Sequence, residues 1–319
     1  MPGLQEGPRR LRHLAGPFPV KAMAAPRPRE YGPALLGAGL LAASFLASGC
    51  ATRAPFNPDD PQNVRFMGDV LYQAWRRDRR TPVVSARFPE WTEREAYGVQ
   101  HRFVESRMRH DRAGGLKIGL SSEREMERYG AVQPAVGVLW ENRRETPGRR
   151  IAIPRDGFMF VEPEIGFMVR RAILGPLPAA ADLADYLEAA VPVVELPWVD
   201  FERGRTLVRT DLIASNLGSE GYVVGEPVSL DGLDLAALPV TVFSDGRRRV
   251  DTTGAAAYGG DPLAAARWII NEGTRRGWRL KPGDIIITGN LSPITLPAVP
   301  GIWRIDFGPL GEVEFFLRR

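Results

Sequence analysis

The sequence predicts an α+β fold in which a helical N-terminal region precedes a β-rich domain with flanking helices. Two early stretches, Val64 to Arg80 and Thr92 to Asp111, carry helical patterning. After Gly114-Gly115 the texture changes to short runs rich in Val and Ile separated by Gly and Pro, the signature of many short strands. With 44% hydrophobic and 25% charged residues, a chain of 319 residues has material for one large domain or two small ones.

Ahead of the helices stands a segment of a different kind. From Tyr31 to Gly49 no residue is charged, Leu and Ala dominate, and basic residues precede, the layout of an export signal. Leu46-Ala47-Ser48-Gly49-Cys50 resembles the bacterial lipobox, with Ala47 where Leu is usual. Residues 1–49 are therefore expected to be a lipoprotein signal peptide, with Met23 an alternative start, and Cys50 the lipidated residue that anchors the chain to the membrane. A plain transmembrane anchor with a chance cysteine is the competing reading. Ala51 in place of an Asp points to the outer membrane on its periplasmic side. Cys50 is the single cysteine, which leaves no intramolecular disulfide. Gly37-Ala38-Gly39 loosely fits a dinucleotide fingerprint, but a signal segment lacks the strand and helix that motif requires.

The net charge of +4 and pI near 9.4 would ordinarily raise nucleic acid as a partner. The leader holds six basic residues against two acids, however, so the remaining 270 residues balance at 36 of each sign. No nucleic-acid partner is expected.

Residues 50–62, rich in Pro, Asn and Asp, read as a tether. Residues 63–113 form the helical region, whose second helix opens with Thr92 and Glu95 as a capping box and sets Ala96, Val99 and Phe103 on one face. Residues 114–319 form the β-rich domain, with strands expected at LKIGL, VGVLW, FMFVEPEIGFMV, VPVVEL, YVVG, PVTVF, DIIITG and EVEFFL. Helices are expected at Ser122 to Tyr129, Ala180 to Ala190 and Pro262 to Arg276.

The chemistry concentrates in Val161-Glu162-Pro163-Glu164-Ile165. Residues two apart on a strand share a face, so Glu162 and Glu164 project side by side. Carboxylates that close repel unless a cation lies between them. A third acid, Glu195, stands among Val, Pro, Leu and Trp, where burial without a partner is expensive. Three carboxylates suit a hard cation such as Mg²⁺ or Mn²⁺. Zinc is disfavoured, because the mature chain offers only His101 and His110. A Glu-x-Glu on a strand is by itself more often a solvent-facing pair.

The order AYGVQHRF, LKIGL, GVLW, VEPEIGFMV, VPVVEL, IASNLGSEGYVVG, GGDPLAAARWII and LKPGDIIITG resembles the 2-keto-4-pentenoate hydratases and related 4-oxalocrotonate decarboxylases, from about Val64 to the C-terminus. The resemblance implies the fold of the fumarylacetoacetate hydrolase superfamily, a distorted, mostly β roll with flanking helices, and assembly into a homo-oligomer. It implies metal ligation by Glu162, Glu164 and Glu195, and a lysine, matched by Lys117, beside a chelated 2-oxo acid. Asn216, Ser219, Thr288 and Gly289 are candidate substrate contacts, although each also suits an ordinary turn.

The implied activity is a metal-dependent hydro-lyase adding water to a 2-hydroxy-2,4-dienoate or 2-oxo-enoate. The chain departs from the hydratase pattern at Asn142, where an aspartate is usual. An amide is no acid or base at neutral pH, so either Glu141 beside it substitutes, or the proton chemistry differs, or activity is lost. The loop NLSPITLPAVPG also differs from the usual hydratase loop. Decarboxylation or acylpyruvate hydrolysis on the same fold, and a non-catalytic lipid-anchored 2-oxo-acid-binding protein, are the competing functions. Hydrolysis is disfavoured by the lack of a clear lid histidine.

Overall fold

The computed structural model describes residues 61–319, so the signal segment, Cys50 and the tether up to residue 60 lie outside the described residues. No helix among them is long and apolar enough to cross a membrane.

Helix α1 (Pro61–Arg76) begins two residues inside the expected tether and stops short of Arg80. Pro61 suits its first position, where no backbone N–H is required. Helix α2 (Glu93–Arg107) has the expected capping box. Thr92 Oγ1 donates to Glu95 Oε2 at 2.5 Å, and the Thr92 backbone N–H donates to the same oxygen at 3.0 Å. Burial would raise the Glu95 carboxyl, but the hydrogen bonds from Thr92 and Arg94 outweigh it and hold the group at about 2. Because the folded-state value is depressed, the box stabilises the fold above the ordinary carboxylate value of 4.5 and loses its effect as pH falls toward 2. Glu95→Gln is accordingly expected to lower stability by about 1 kcal/mol at neutral pH and by progressively less on acidification, read by denaturant unfolding at pH 7 and pH 3. An equal loss at both values would contradict it.

Strand β1 (Ala113–Gly119), helix α3 (Glu123–Arg128) and strand β2 (Ala135–Trp140) follow, α3 being capped by Ser122 and Glu125. Short strands β3 (Arg144–Glu145), β4 (Arg150–Ala152) and β5 (Phe158–Met159) lead to β6 (Glu162–Val169), β7 (Leu187–Leu196) and β8 (Trp198–Val199). Helix α4 (Arg209–Ala214) precedes β9 (Gly221–Val224), β10 (Pro239–Ser244) and β11 (Arg247–Thr253). Helix α5 (Pro262–Arg275) and strands β12 (Ile285–Ile287), β13 (Gly301–Asp306) and β14 (Glu312–Arg318) complete the chain.

One expected element is absent. The helix anticipated at 180–190 is only a 3₁₀ turn at Leu183–Asp185, after which the chain enters β7. Leu187 to Leu196 is buried on both faces apart from Glu188 and pairs with β6 on one side and β9 on the other. A central strand buried on both faces reads as a continuous apolar run, and its pairing overrides the helical preference of Leu and Ala.

The strands form a seven-stranded sheet in the order β2-β1-β12-β6-β7-β9-β3, a five-stranded sheet β11-β10-β13-β14-β4, and the pair β5-β8. The larger sheet is curled. Its outer face carries Leu116, Ile118, Val138, Trp140, Ile165, Phe167, Val194 and Ile286, which share one hydrophobic core with Met67, Leu71, Val99 and Phe103 of the first two helices. Its inner face carries Leu139, Val191, Val193, Tyr222, Val224, Ile285 and Ile287 as a second, smaller cluster. Four inner-face positions, Gly115, Gly119, Gly137 and Gly166, have no side chain. Gly115 has φ +143°, and a Cβ there would lie 1.7 Å from the Ile285 carbonyl oxygen, so only glycine lets β1 approach β12 in this curl.

Candidate metal centre and substrate cavity

The inner face of the roll is apolar along most of its length and ionic at one end. The register that builds the small cluster also sets Glu162 opposite Glu195, and Glu164 opposite Val193, across β6 and β7. Directly paired residues point to the same side of a sheet, so all three carboxylates face inward. They offer oxygens within 4.8 Å of one another. Glu164 and Glu195 are fully buried, while Glu162 is partly buried at the cavity edge.

Lys117 reaches the same point from β1. That strand is separated from β7 by β12 and β6, about 14 Å away in a flat sheet. The curl removes this separation: Lys117 Nζ donates to Glu195 Oε1 at 2.5 Å and to the Leu217 carbonyl oxygen at 3.3 Å. Gly137, its partner on β2, leaves room for the lysine stem, since a Cβ there would meet Lys117 Cγ at 2.8 Å.

Electrostatically the group is unfinished. Burial pushes the Glu162 carboxyl up to about 8, helped by the Glu195 charge and opposed by Lys117. Burial also raises Glu164 well above the ordinary range, reinforced by its two carboxylate neighbours, and raises Glu195 against the pull of Lys117. Burial would lower Lys117, but the charges of Glu195, Glu162 and Glu164 together with the Glu195 hydrogen bond hold it above its usual value. Fully ionised, three carboxylates and one ammonium would leave two negative charges in a dry site, and the raised carboxyls show the group taking up protons instead. Glu164 Oε2 accepts the Gly289 N–H at 2.7 Å, yet Glu164 Oε1 and Glu195 Oε2 are buried without a partner. Unpartnered buried carboxylate oxygens beside a third carboxylate are the donor set a hard divalent cation requires.

The remaining expected residues fall into two groups. Asn216 donates to the Val138 carbonyl at 2.9 Å and accepts the Val138 N–H at 2.8 Å, so it ties the turn before β9 to β2 and closes the roll. Asn216, Leu217 and Gly218 all have positive φ, and this turn aims the Leu217 carbonyl at Lys117. Ser219 is buried, with its carbonyl accepting Trp140 Nε1. Thr288 Oγ1 donates to the Ile165 carbonyl. These residues shape the site from behind, and none of Asn216, Ser219, Thr288 and Gly289 lines the cavity. Nor does Glu141. It follows Trp140, whose register partner is Ala113, four residues before Lys117, or about 13 Å along the strand. There it pairs with Arg112 and Lys281. Asn142 lies beside it, accepting the Arg112 N–H and donating to Asp111 Oδ1. The substitution thought to bear on proton chemistry therefore sits in a structural hydrogen-bond cluster.

Lys117 and Glu162 line a cavity of about 380 Å³ whose other walls include Phe158, Phe160, Leu212, Ile294 and the α3 residues Arg124 and Arg128. Sequence reasoning missed these wall residues, because nothing local marks a strand end or a short polar helix as part of a cavity.

No protein-family model matches the chain. Curated relatives do, among them two hydratases. The TodF product hydratase of Pseudomonas putida F1 is 31% identical over 252 residues, covering 78% of this chain and 93% of that protein. The 2-keto-4-pentenoate hydratase of Paraburkholderia phymatum is 30% identical over 260 residues, covering 80% and 97%. The chain belongs to the 2-keto-4-pentenoate hydratase family. Membership makes it an enzyme of the lyase class, since the curated relatives are hydratases. Among solved structures, the 4-oxalocrotonate decarboxylase of Pseudomonas putida G7, complexed with magnesium and adipate, superposes with a TM-score of 0.72 at 24% identity, covering 81% of this chain and 98% of that one. The α+β roll of the fumarylacetoacetate hydrolase type, expected for this hydratase family, is the fold observed.

Proposed function

We propose that the protein is a divalent-metal-dependent hydratase, adding water to a 2-hydroxy-2,4-dienoate or the corresponding 2-oxo-enoate to give a 4-hydroxy-2-oxo acid. The observation that carries this reading is the Glu162, Glu164 and Glu195 group, two of whose buried oxygens lack partners, beside Lys117 in the wall of a cavity. Glu162, Glu164 and Glu195 would hold Mg²⁺ or Mn²⁺, and magnesium is the ion in the decarboxylase of the same fold. A cation held there supplies Lewis acidity toward the carboxylate and C2 oxygens of a 2-oxo acid.

The remaining work falls to Lys117. Two of its ammonium protons are committed to Glu195 Oε1 and the Leu217 carbonyl, which leaves one directed toward the cavity. Lys117 Nζ is thus placed to give its free proton to C5 of a dienol and be reprotonated by the C2 hydroxyl, and then to give a proton to C3 and regain one from the water adding at C4. Burial of Glu164 and Glu195 excludes bulk water from this end. Among the described residues no histidine lines the cavity: His101 stacks on Trp278 and His110 bonds to Tyr72. This speaks against the hydrolase variant, whose water is activated by a lid histidine.

The test is loss of dienol absorbance of 2-hydroxypenta-2,4-dienoate with Mg²⁺ or Mn²⁺ and with chelator. Metal-dependent loss is expected, and loss that survives full metal removal would overturn the metal assignment. The same proposal places the enzyme outside the cytoplasm, lipid-anchored through Cys50 and acting as a homo-oligomer. Its supports are the lipobox-like segment and the habit of the family. Cys50→Ser should release the protein from the membrane fraction, and retention would exclude the anchor.

A further inference from the structure

The turn that carries Leu217 is strained, and it is held from both ends. Asn216, Leu217 and Gly218 have φ of 58°, 55° and 64°. Two non-glycine residues in the left-handed region persist only where the surroundings over-determine them. On one side Asn216 supplies the hold through both backbone groups of Val138. On the other, Trp140 Nε1 donates to the Ser219 carbonyl at 3.1 Å, and Glu220 accepts two bonds from Arg107, at 2.8 Å from Nη1 and 3.1 Å from Nη2.

Arg107 closes helix α2 and does not line the cavity. It is 1% exposed. Its guanidinium carbon lies 4.5 Å from the Trp75 ring centroid and 4.3 Å from that of Trp140, and its Nε donates to Asp111 Oδ2 at 2.6 Å. Asp111 is steadied in turn by Asn142, which donates to its other oxygen at 2.6 Å. Desolvation offsets most of what a buried ion pair gains, so stability alone is a weak account of this cluster. A planar fork that meets a carboxylate with two bonds sets direction as well as charge. Here the fork is oriented by two indole rings and Asp111, and what it orients is Glu220, two residues after the left-handed turn.

We propose that Arg107 is a positioning residue for the reaction at Lys117. By clamping Glu220 it fixes the left-handed turn, so that the Leu217 carbonyl takes one ammonium proton at 3.3 Å and another is left facing the cavity. This rests on the hydratase reading, which makes Lys117 the proton carrier. It extends that reading to a residue on a helix outside the cavity. Loosening the clamp leaves Glu162, Glu164 and Glu195 in place but frees the ammonium to change acceptors, which slows proton transfer without weakening the hold on metal or substrate.

The experiment uses Glu220→Gln and Arg107→Lys in the full chain with Mg²⁺. Glu220→Gln is the milder change, because Arg107 keeps Asp111, and it carries the test if Arg107→Lys fails to fold. Turnover of 2-hydroxypenta-2,4-dienoate is counted per Mg²⁺-binding site measured by calorimetry, so that unfolded protein does not register as lost rate. A fall in kcat of about tenfold to 10²-fold is expected, with KM and Mg²⁺ affinity within about twofold of the parent. In the residual turnover of Lys117→Met, Glu220→Gln should make no further difference, because it acts through the lysine. An unchanged kcat per metal-loaded molecule in Glu220→Gln overturns the inference. Loss of Mg²⁺ binding, or losses that multiply with that of Lys117→Met, overturn it as well, since the cluster would then be a general support of the fold. A parent that turns over no dienol removes the hydratase reading and this inference together, an outcome distinct from an active parent with fully active variants.

Discussion

Glu164→Gln is expected to abolish divalent-metal binding in the accessible concentration range and to reduce turnover by about 10²-fold or more, since Lewis-acid assistance is worth several kcal/mol. Glutamine preserves the shape and leaves an oxygen or an amide where Glu164 accepts the Gly289 N–H, but it removes one of the three charges the cation would balance. Stability should move the other way without metal. Glu164 is fully buried and its carboxyl is raised by burial and by Glu195 and Glu162. Its neutral replacement therefore relieves like-charge repulsion, and the metal-free variant should unfold at a temperature equal to or above that of the metal-free parent. Thermal unfolding with Mg²⁺ and with chelator checks both statements. The parent should gain stability on adding metal by mass action, and the variant should not. A variant that keeps the full metal-induced rise would remove Glu164 from the centre.

Lys117→Met should be the second severe loss, for a different reason. The side chain is 2% exposed and its ammonium meets Glu195 Oε1 at 2.5 Å. Methionine fills similar space but leaves Glu195 buried without its cation, a change that destabilises by about 3–5 kcal/mol when nothing replaces the partner. A divalent ion in the carboxylate group would offset part of this, so the variant should depend on metal for stability more than the parent does. Its turnover should fall by about 10²–10⁴-fold even when metal is bound, the range for loss of a positioned proton carrier. Calorimetry separates the effects by showing retained metal binding beside lost catalysis. Turnover within a few-fold of the parent would exclude Lys117 as the proton carrier. Lys117→Arg is not expected to rescue, because the ammonium already meets Glu195 Oε1 at 2.5 Å and the Leu217 carbonyl at 3.3 Å, and a longer, broader guanidinium cannot take its place there.

Both outcomes depend on features that differ in how plainly the chain states them. The capping boxes at Thr92 and Ser122 are local, since four consecutive residues contain donor and acceptor, and the helices start where those residues stand. Glu162 and Glu164 share a face because strand periodicity admits no other arrangement once the segment is extended. The 180–190 segment was less legible. Its Leu and Ala residues suit a helix, and only pairing with β6 and β9 makes them a strand. Strand β11, RRRVDTT, and strand β13, GIWRID, were also hidden, because edge or half-exposed strands carry charges that interrupt an apolar pattern.

At the site the division is sharper. The sequence alone set Glu162 and Glu164 on one face and marked Glu195 as a costly acid in apolar surroundings, while Lys117 and the expected substrate class came from the resemblance to the hydratases. Only the tertiary structure decided that β6 and β7 pair in the register that sets Glu162 against Glu195, and that the sheet curls enough to bring Lys117 across two intervening strands. It also decided that Glu141 and Asn142 belong to an ion-pair cluster with Arg112, Lys281 and Asp111 rather than to the cavity, and that Arg124 and Arg128 belong to the cavity. The reason is one of range: residue chemistry and strand periodicity act over a few positions, whereas register and curvature come from packing both faces of the sheet at once.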